Sequence, residues 1–133
     1  MPSDPIKMLL VEDNLGDARL VYEGLTEALV TAFQVTHVRR LREALTWVGE
    51  QNCDLVLLDM GLPDSHGLDT LLLMRAQLPS VPIVVFTGFS DESIATDALR
   101  NGAQDYLVKE ETNSQTLLHS LRYAIASKEV GIR

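Results

Sequence analysis

Four short apolar runs punctuate the chain: IKMLLV (6–11), LVLL (55–58), PIVVF (82–86) and DYLV (105–108). A fifth, AFQVTHV (32–38), alternates apolar and polar residues. Each is strand-sized. The runs at 6–11, 55–58 and 82–86 are almost continuously hydrophobic, the pattern of strands buried on both faces of a parallel sheet. Between them the apolar period changes to that of a helix. Ala18, Val21, Leu25, Ala28 and Leu29 share one face after Asn14, a candidate N-cap, and Leu41, Ala44, Leu45 and Val48 share another. LDTLLLMRAQLPS (68–80) predicts a strongly apolar helix that stops at Pro79. In SDESIATDALRNG (90–102), Ser90 is the expected N-cap, Ile94, Ala95, Ala98 and Leu99 the buried face, and Gly102 the stop. The last helix opens at TNSQ, where Thr112 and Gln115 have capping-box spacing, and buries Leu117, Leu118, Leu121, Ala124 and Ile125. Five strands alternating with five helices predict an open α/β sandwich around a parallel sheet. It forms one domain over 1–133, with a core of about 6–126 and flanking tails at 1–5 and 127–133.

Composition narrows the functional classes. A formal charge of −8 over 133 residues leaves no basic footprint for nucleic acid. No apolar stretch is long enough for a membrane span, and MPSDPIKM lacks the apolar core of a signal peptide. The lone Cys53 suits a reducing cytoplasm and reads as a packing residue, since nothing nearby in sequence would activate its thiol.

The strand tips carry the chemistry. The first strand ends in Glu12-Asp13, the third in Asp59, the fourth in Thr87-Gly88 and the fifth in Lys109. In a parallel sheet these carboxyl ends share one edge, where ligands bind in open α/β folds. Three carboxylates at close range call for a cation, and hard oxygen donors suit Mg²⁺ or another divalent ion such as Mn²⁺. An ammonium, a hydroxyl and a divalent cation around one carboxylate can stabilise the spread charge of a phosphoryl group in transfer. Aspartate is itself a phosphoryl nucleophile, which makes Asp59 the candidate acceptor.

LLVEDN, LVLLDMGLPDSHGLDTL, PIVVFTG and GAQDYLVK together resemble the four signature regions of response-regulator receiver domains of two-component signalling, over about residues 6–126. The resemblance implies a doubly wound, flavodoxin-like fold of strand order 2-1-3-4-5. It implies that Asp59 takes a phosphoryl group from a histidine kinase or a histidine phosphotransfer protein. Carried over by position, Asp13 ligates the metal directly, Glu12 acts through water, and Asp59 and the backbone carbonyl of Gly61 complete the protein ligands. Thr87 and Lys109 bind the phosphoryl oxygens. Tyr106 resembles the switch aromatic that follows Thr87 and alters the face of the fourth helix, fifth strand and fifth helix, a face through which such domains also form homodimers. Two departures stand out: Glu110-Glu111 replaces the proline usual after the lysine, and Gly61 and Phe89 replace polar residues that tune phosphoryl lifetime. Neither can orient an attacking water, which predicts slow self-dephosphorylation.

Taken singly, each residue has a plainer reading: Asp59 as turn chemistry, Glu12-Asp13 as a helix-dipole partner, Thr87 and Tyr106 as strand residues, Lys109 as a solvated tip. Their ordered coincidence on the strand ends favours function. His37, His66 and His119 are scattered and read as surface or loop residues; Trp47 reads as an ordinary helix residue, and Arg39, Arg40 and Arg42 as a solvated helix start. Two other functions compete. A protein-binding pseudo-receiver is disfavoured by the intact acids, Thr87 and Lys109. An aspartyl-phosphate hydrolase would carry a second Asp where Gly61 stands. The ending LLHSLRYAIASKEVGIR resembles an exit helix feeding an output domain of the sensory, diguanylate cyclase or kinase type; a complete relay protein acting on a partner is the alternative.

Overall fold

The computed structural model describes residues 5–26 and 33–129. In chain order the elements are β1 (Ile6–Val11), α1 (Leu15–Thr26), β2 (Phe33–Val38), α2 (Leu41–Val48), β3 (Leu55–Leu58), β4 (Gly61–Leu62), β5 (Ser65–His66), α3 (Leu68–Gln77), β6 (Ile83–Thr87), α4 (Glu92–Arg100), β7 (Asp105–Val108), a 3-10 turn (Lys109–Glu111) and α5 (Ser114–Glu129). The main sheet has order β2-β1-β3-β6-β7 with every pair parallel. Counting only its own strands, that is 2-1-3-4-5, the expected doubly wound order. The short antiparallel pair β4–β5 follows Asp59 and has no apolar run to announce it.

Alternation along the central strands splits the core into two layers. Leu9, Val11, Val56, Leu58, Ile83 and Val85 face α2, α3 and α4, where they meet Leu41, Ala44, Leu71, Met74 and Ala98. Met8, Leu10, Leu55, Leu57, Val84 and Phe86 face α1 and α5, where they meet Ala18, Val21, Leu25, Leu117 and Leu121. Every residue of β3 and β6 is buried, as expected for strands covered on both faces. Cys53 is buried in the first of these layers. Among the described residues no helix is long and apolar enough to cross a membrane.

The helix ends take their caps from neighbouring residues in some places and from distant ones in others. Asn14 caps α1, its Oδ1 accepting from the Asp17 amide at 2.9 Å. The α4 cap is Asp91 rather than Ser90: its carboxylate accepts from the Ser93 and Ile94 amides at 2.7 and 3.4 Å. Leu99 of the expected buried face is 48% exposed, so that face is narrower than its apolar residues suggest. The α5 cap is Asn113, which accepts from the Thr116 amide at 2.8 Å, while the Thr112 hydroxyl turns back to donate to the Val108 carbonyl. The start of α2 is capped from a distance. Asp64, in the turn between β4 and β5, accepts from the Leu41 and Arg42 amides at 2.9 and 3.0 Å. Gly102 ends α4 at φ +103°, and a Cβ there would stand 3.0 Å from the Arg75 Nε. The Arg75 guanidinium donates to the Leu78, Val81 and Gly102 carbonyls, tying the end of α3 to the turn after α4. The expected C-terminal tail begins later than 127, since α5 continues to Glu129 with Ser127 buried. The expected helical positions Ala28 and Leu29, and the expected strand start at Ala32, lie outside the described residues.

Candidate functional site

Parallel pairing in this order brings the carboxyl ends of β1, β3, β6 and β7 to one edge of the sheet. The backbone sets their heights: the Asp59 amide donates to the Val11 carbonyl and the Glu12 amide to the Val38 carbonyl, both at 3.0 Å. Asp59 therefore emerges beside Glu12 and is only 6% exposed. One of its oxygens, Oδ1, accepts from the Thr87 hydroxyl at 2.9 Å and from the Gly61 amide at 3.0 Å. The other, Oδ2, accepts from the Lys109 ammonium at 2.8 Å. The carboxylate is thus held at both oxygens by groups from three separate segments.

Lys109 is heavily committed. Its Nζ donates to Asp59 and to Asp17 Oδ2 at 2.8 Å each, and stands 2.8 Å from Glu12 Oε1. The Glu12 contact has the distance of an ion pair but not the direction of a hydrogen bond, which leaves Oε1 a buried oxygen without a hydrogen-bond donor. Below it the ammonium lies 5.8 Å from the centre of the Phe86 ring. Burial alone would depress the lysine's pKa, but the bonds to Asp17 and Asp59 and the adjacent Glu12 carboxylate outweigh it and hold the ammonium well above its ordinary value. Glu12 moves the other way for an acid. Burial, opposed by Lys109 and reinforced by the neighbouring Asp59, pushes its carboxyl up to about 7.

Glu12, Asp13 and Asp59 each bring a carboxylate oxygen within 4.8 Å of the others. One ammonium does not balance them, as the raised Glu12 and its undonated Oε1 report. Hard oxygen donors, excess negative charge and an accessible Asp13 fit a divalent cation of the Mg²⁺ type. Glu12, Asp13, Asp59, Thr87 and Lys109, five residues expected from the strand tips, are brought together, with the Gly61 backbone beside them. The Gly61 contact present is its amide on Asp59.

Tyr106 pairs with Val85 in the sheet register and packs half-buried against the α4-side core. Its hydroxyl donates to the Phe89 carbonyl at 2.8 Å, in the loop that follows Thr87. Burial raises its pKa, helped by the charges of Asp91 and Asp59. The Phe89 ring lies over Gly61, where a Cβ would come within 3.3 Å of Phe89 Cζ.

Three neighbours of the site were not expected. Asp17 reaches Lys109 from the first turn of α1; its spacing of four residues from Asp13 was the available signal. His37 is not a loop residue. Half-buried at the end of β2, its Nε2 donates to the Glu12 carbonyl at 2.7 Å, which fixes the protonated nitrogen because a carbonyl only accepts. Arg39 was expected in a solvated run, and its Nη2 reaches the Asp13 carbonyl at 3.4 Å.

Known proteins show the same arrangement of sequence. The family model described as response regulator receiver domain matches residues 8–122. The methanogenesis regulatory protein FilR1 of Methanothrix harundinacea is 38% identical over 115 residues, which cover 83% of this chain and 25% of FilR1. The regulatory protein LuxO of Vibrio cholerae is 37% identical over 100 residues, covering 75% of this chain and 21% of LuxO. The chain thus spans about a quarter or less of the length of these relatives. Among solved structures, the phosphorylated cyanobacterial phytochrome response regulator RcpA superposes with a TM-score of 0.75 at 27% identity, covering 90% of this chain and 91% of RcpA. A CheY-like receiver domain protein from Methanospirillum hungatei reaches 0.84 at 21% identity over 96% of this chain and 99% of its own, a likeness of fold. With a family match over most of its length and a shared doubly wound sheet, this chain belongs to the response regulator receiver domains of two-component signalling.

Proposed function

We propose that the chain is a phospho-accepting switch in which Asp59 takes a phosphoryl group from a phosphohistidine on a histidine kinase or histidine phosphotransfer protein. The observation that carries this reading is the Asp59 carboxylate itself, held by Thr87, Gly61 and Lys109 inside the trio of acids. An Asp59 oxygen attacks phosphorus, the O–P bond forms as the N–P bond of the donor breaks, and the imidazole leaves with the electron pair. Lys109 offers its ammonium and Thr87 its hydroxyl to the phosphoryl oxygens as charge builds on them. A Mg²⁺ or Mn²⁺ ion held by Glu12, Asp13, Asp59 and the Gly61 carbonyl would supply the remaining positive charge. The chemistry is confined to the protein's own modification and its slow reversal, so the role is that of a signalling switch rather than an enzyme acting on a separate substrate.

Signal output follows from the same contacts. Once the Thr87 hydroxyl turns from Asp59 to a phosphoryl oxygen, the loop carrying Phe89 shifts with it, and Phe89 is bonded to Tyr106. That links the site to the α4–β7–α5 face, the surface offered to an output domain, a target protein or a second copy of the chain. The cytoplasm, where histidine kinases present their phosphohistidines, is the expected setting.

Acetyl phosphate with Mg²⁺ tests the reading directly. Intact mass should rise by one phosphoryl group, Asp59→Asn should show no gain while remaining folded, and EDTA should block the reaction. No gain in the native chain, with no spectral response to beryllofluoride, would instead mark a pseudo-receiver that binds partners without taking phosphate.

A further inference from the structure

We infer that Asp17 is a positioning residue that restrains Lys109 in the resting protein and slows phosphoryl transfer to Asp59; this rests on the phospho-acceptor reading. The ammonium is surrounded by three carboxylates at 2.8 Å: Asp17, Asp59 and Glu12. An ammonium has three N–H bonds. Two of them donate to Asp17 and Asp59, and the Glu12 carboxylate closes a third side at ion-pair distance, so an incoming phosphoryl oxygen must displace one partner before Lys109 can serve it.

The three partners are not equivalent. The side chains of Glu12 and Asp59 are 1% and 7% exposed and belong to the acid trio, whereas that of Asp17 is 30% exposed and stands outside the trio. Asp17 is the partner that can be surrendered to water. Its placement is also secure. The Asp17 amide is held by Asn14 in the first turn of α1, and α1 packs its Ala18–Val21–Leu25 face on the sheet, so the carboxylate is presented to Lys109 by a fixed element.

The sign of the effect follows from what each state gains. In the resting state Asp17 attracts the ammonium. In the transition state the same ammonium is needed by the phosphoryl oxygens, and the Asp17 charge faces the incoming phosphoryl group with the same sign. An interaction stronger in the ground state than in the transition state lowers the rate. Asp17 thus acts as a brake, and its release leaves a free carboxylate on the first turn of α1 in the phosphorylated form.

Asp17→Asn keeps the size of the side chain and removes its charge. Intact mass, followed over time with acetyl phosphate at saturating Mg²⁺, reads the step in which the Asp59 O–P bond forms, the acyl O–P bond breaks and acetate leaves. The limiting rate should rise by roughly three- to fivefold, the range of a partly exposed ion pair. The unfolding midpoint should not rise with it, and the Lys109 Nζ ammonium signal in NMR should exchange faster with water than in the native protein. An equal or lower rate in Asp17→Asn, or an unchanged ammonium signal, overturns the restraint while leaving Asp59 as acceptor. A native chain that gains no phosphoryl group removes the acceptor reading, and the restraint falls with it.

Discussion

At the residue scale the pair that most clearly departs from a polar site is Gly61 and Phe89. They are distant in sequence, yet the Phe89 ring sits where a Gly61 side chain would begin. An apolar ring beside Gly61 has no polar atom to hold an attacking water, and a glycine offers no side chain to orient one. Hydrolysis of an aspartyl phosphate needs that water in line with the O–P bond. We therefore expect the phosphorylated protein to persist for minutes or longer after the donor is removed, and a half-life of only seconds by phosphoprotein gel would contradict this. Phe89→Glu, which puts a general base and hydrogen-bond acceptor in the same place, should shorten the half-life by at least about tenfold, a modest share of what a positioned base supplies. Gly61→Asn is the less clean variant, because its Cβ first has to move the Phe89 ring by a few tenths of an ångström.

At the scale of elements, the cap of α2 makes the loop after Asp59 part of the scaffold. Arg40 holds the N-cap position with no side-chain bond of its own, and Asp64 supplies both of its carboxylate oxygens instead. Although its slight burial opposes ionisation, the Arg42 and Leu41 amides hold the Asp64 carboxyl below its ordinary range. A depressed carboxylate stabilises the fold above its unfolded pKa, and that contribution fades as pH falls below that value and through the lowered folded one. Asp64→Ala should cost about 1 kcal/mol at neutral pH by urea unfolding, and the difference from the native protein should shrink in acid. A full cost retained at pH 3 would exclude the cap as its source. The same helix shows what sequence could and could not reveal. Leu41, Ala44, Leu45 and Val48 marked the element, because burial imposes a period that survives in one dimension. Its cap comes from 23 residues away, and no local signal carries that. Ser90 and Thr112 failed for a related reason. Each has a second capping residue one place on, Asp91 and Asn113, and the helix start decides between them. Asp17 was missed because it lies on a helix turn rather than a strand tip, its spacing from Asp13 being the one signal, while Glu12, Asp13, Asp59, Thr87 and Lys109 were legible because parallel topology sends every strand's carboxyl end to one edge.

For the molecule as a whole, the acidic edge is a local cost that the rest of the fold offsets and a divalent cation relieves. Folding moves Glu12 from water, where its carboxyl would titrate near 4.5, into a site where it titrates at about 7. Between those values the folded chain binds more protons than the unfolded chain, so the stability of the metal-free protein must fall as pH rises from about 4.5 to 7. The loss is on the order of 1–3 kcal/mol, and it runs opposite in sign to the acid-side loss expected from Asp64. A cation that binds the ionised trio reverses the slope, because it favours the form that metal-free folding disfavours, and it adds stability by mass action wherever its concentration exceeds its dissociation constant. Thermal unfolding in EDTA and in excess Mg²⁺, repeated from pH 5 to pH 8, separates the two terms. The EDTA midpoint should decline across the range, the Mg²⁺ midpoint should hold or rise, and the gap between them should widen towards pH 8. The Glu12→Gln variant should flatten the EDTA curve by removing the titrating group. A gap that stays constant with pH in the native protein would mean that the cation does not engage Glu12 and that the trio's charge is balanced by Lys109 alone.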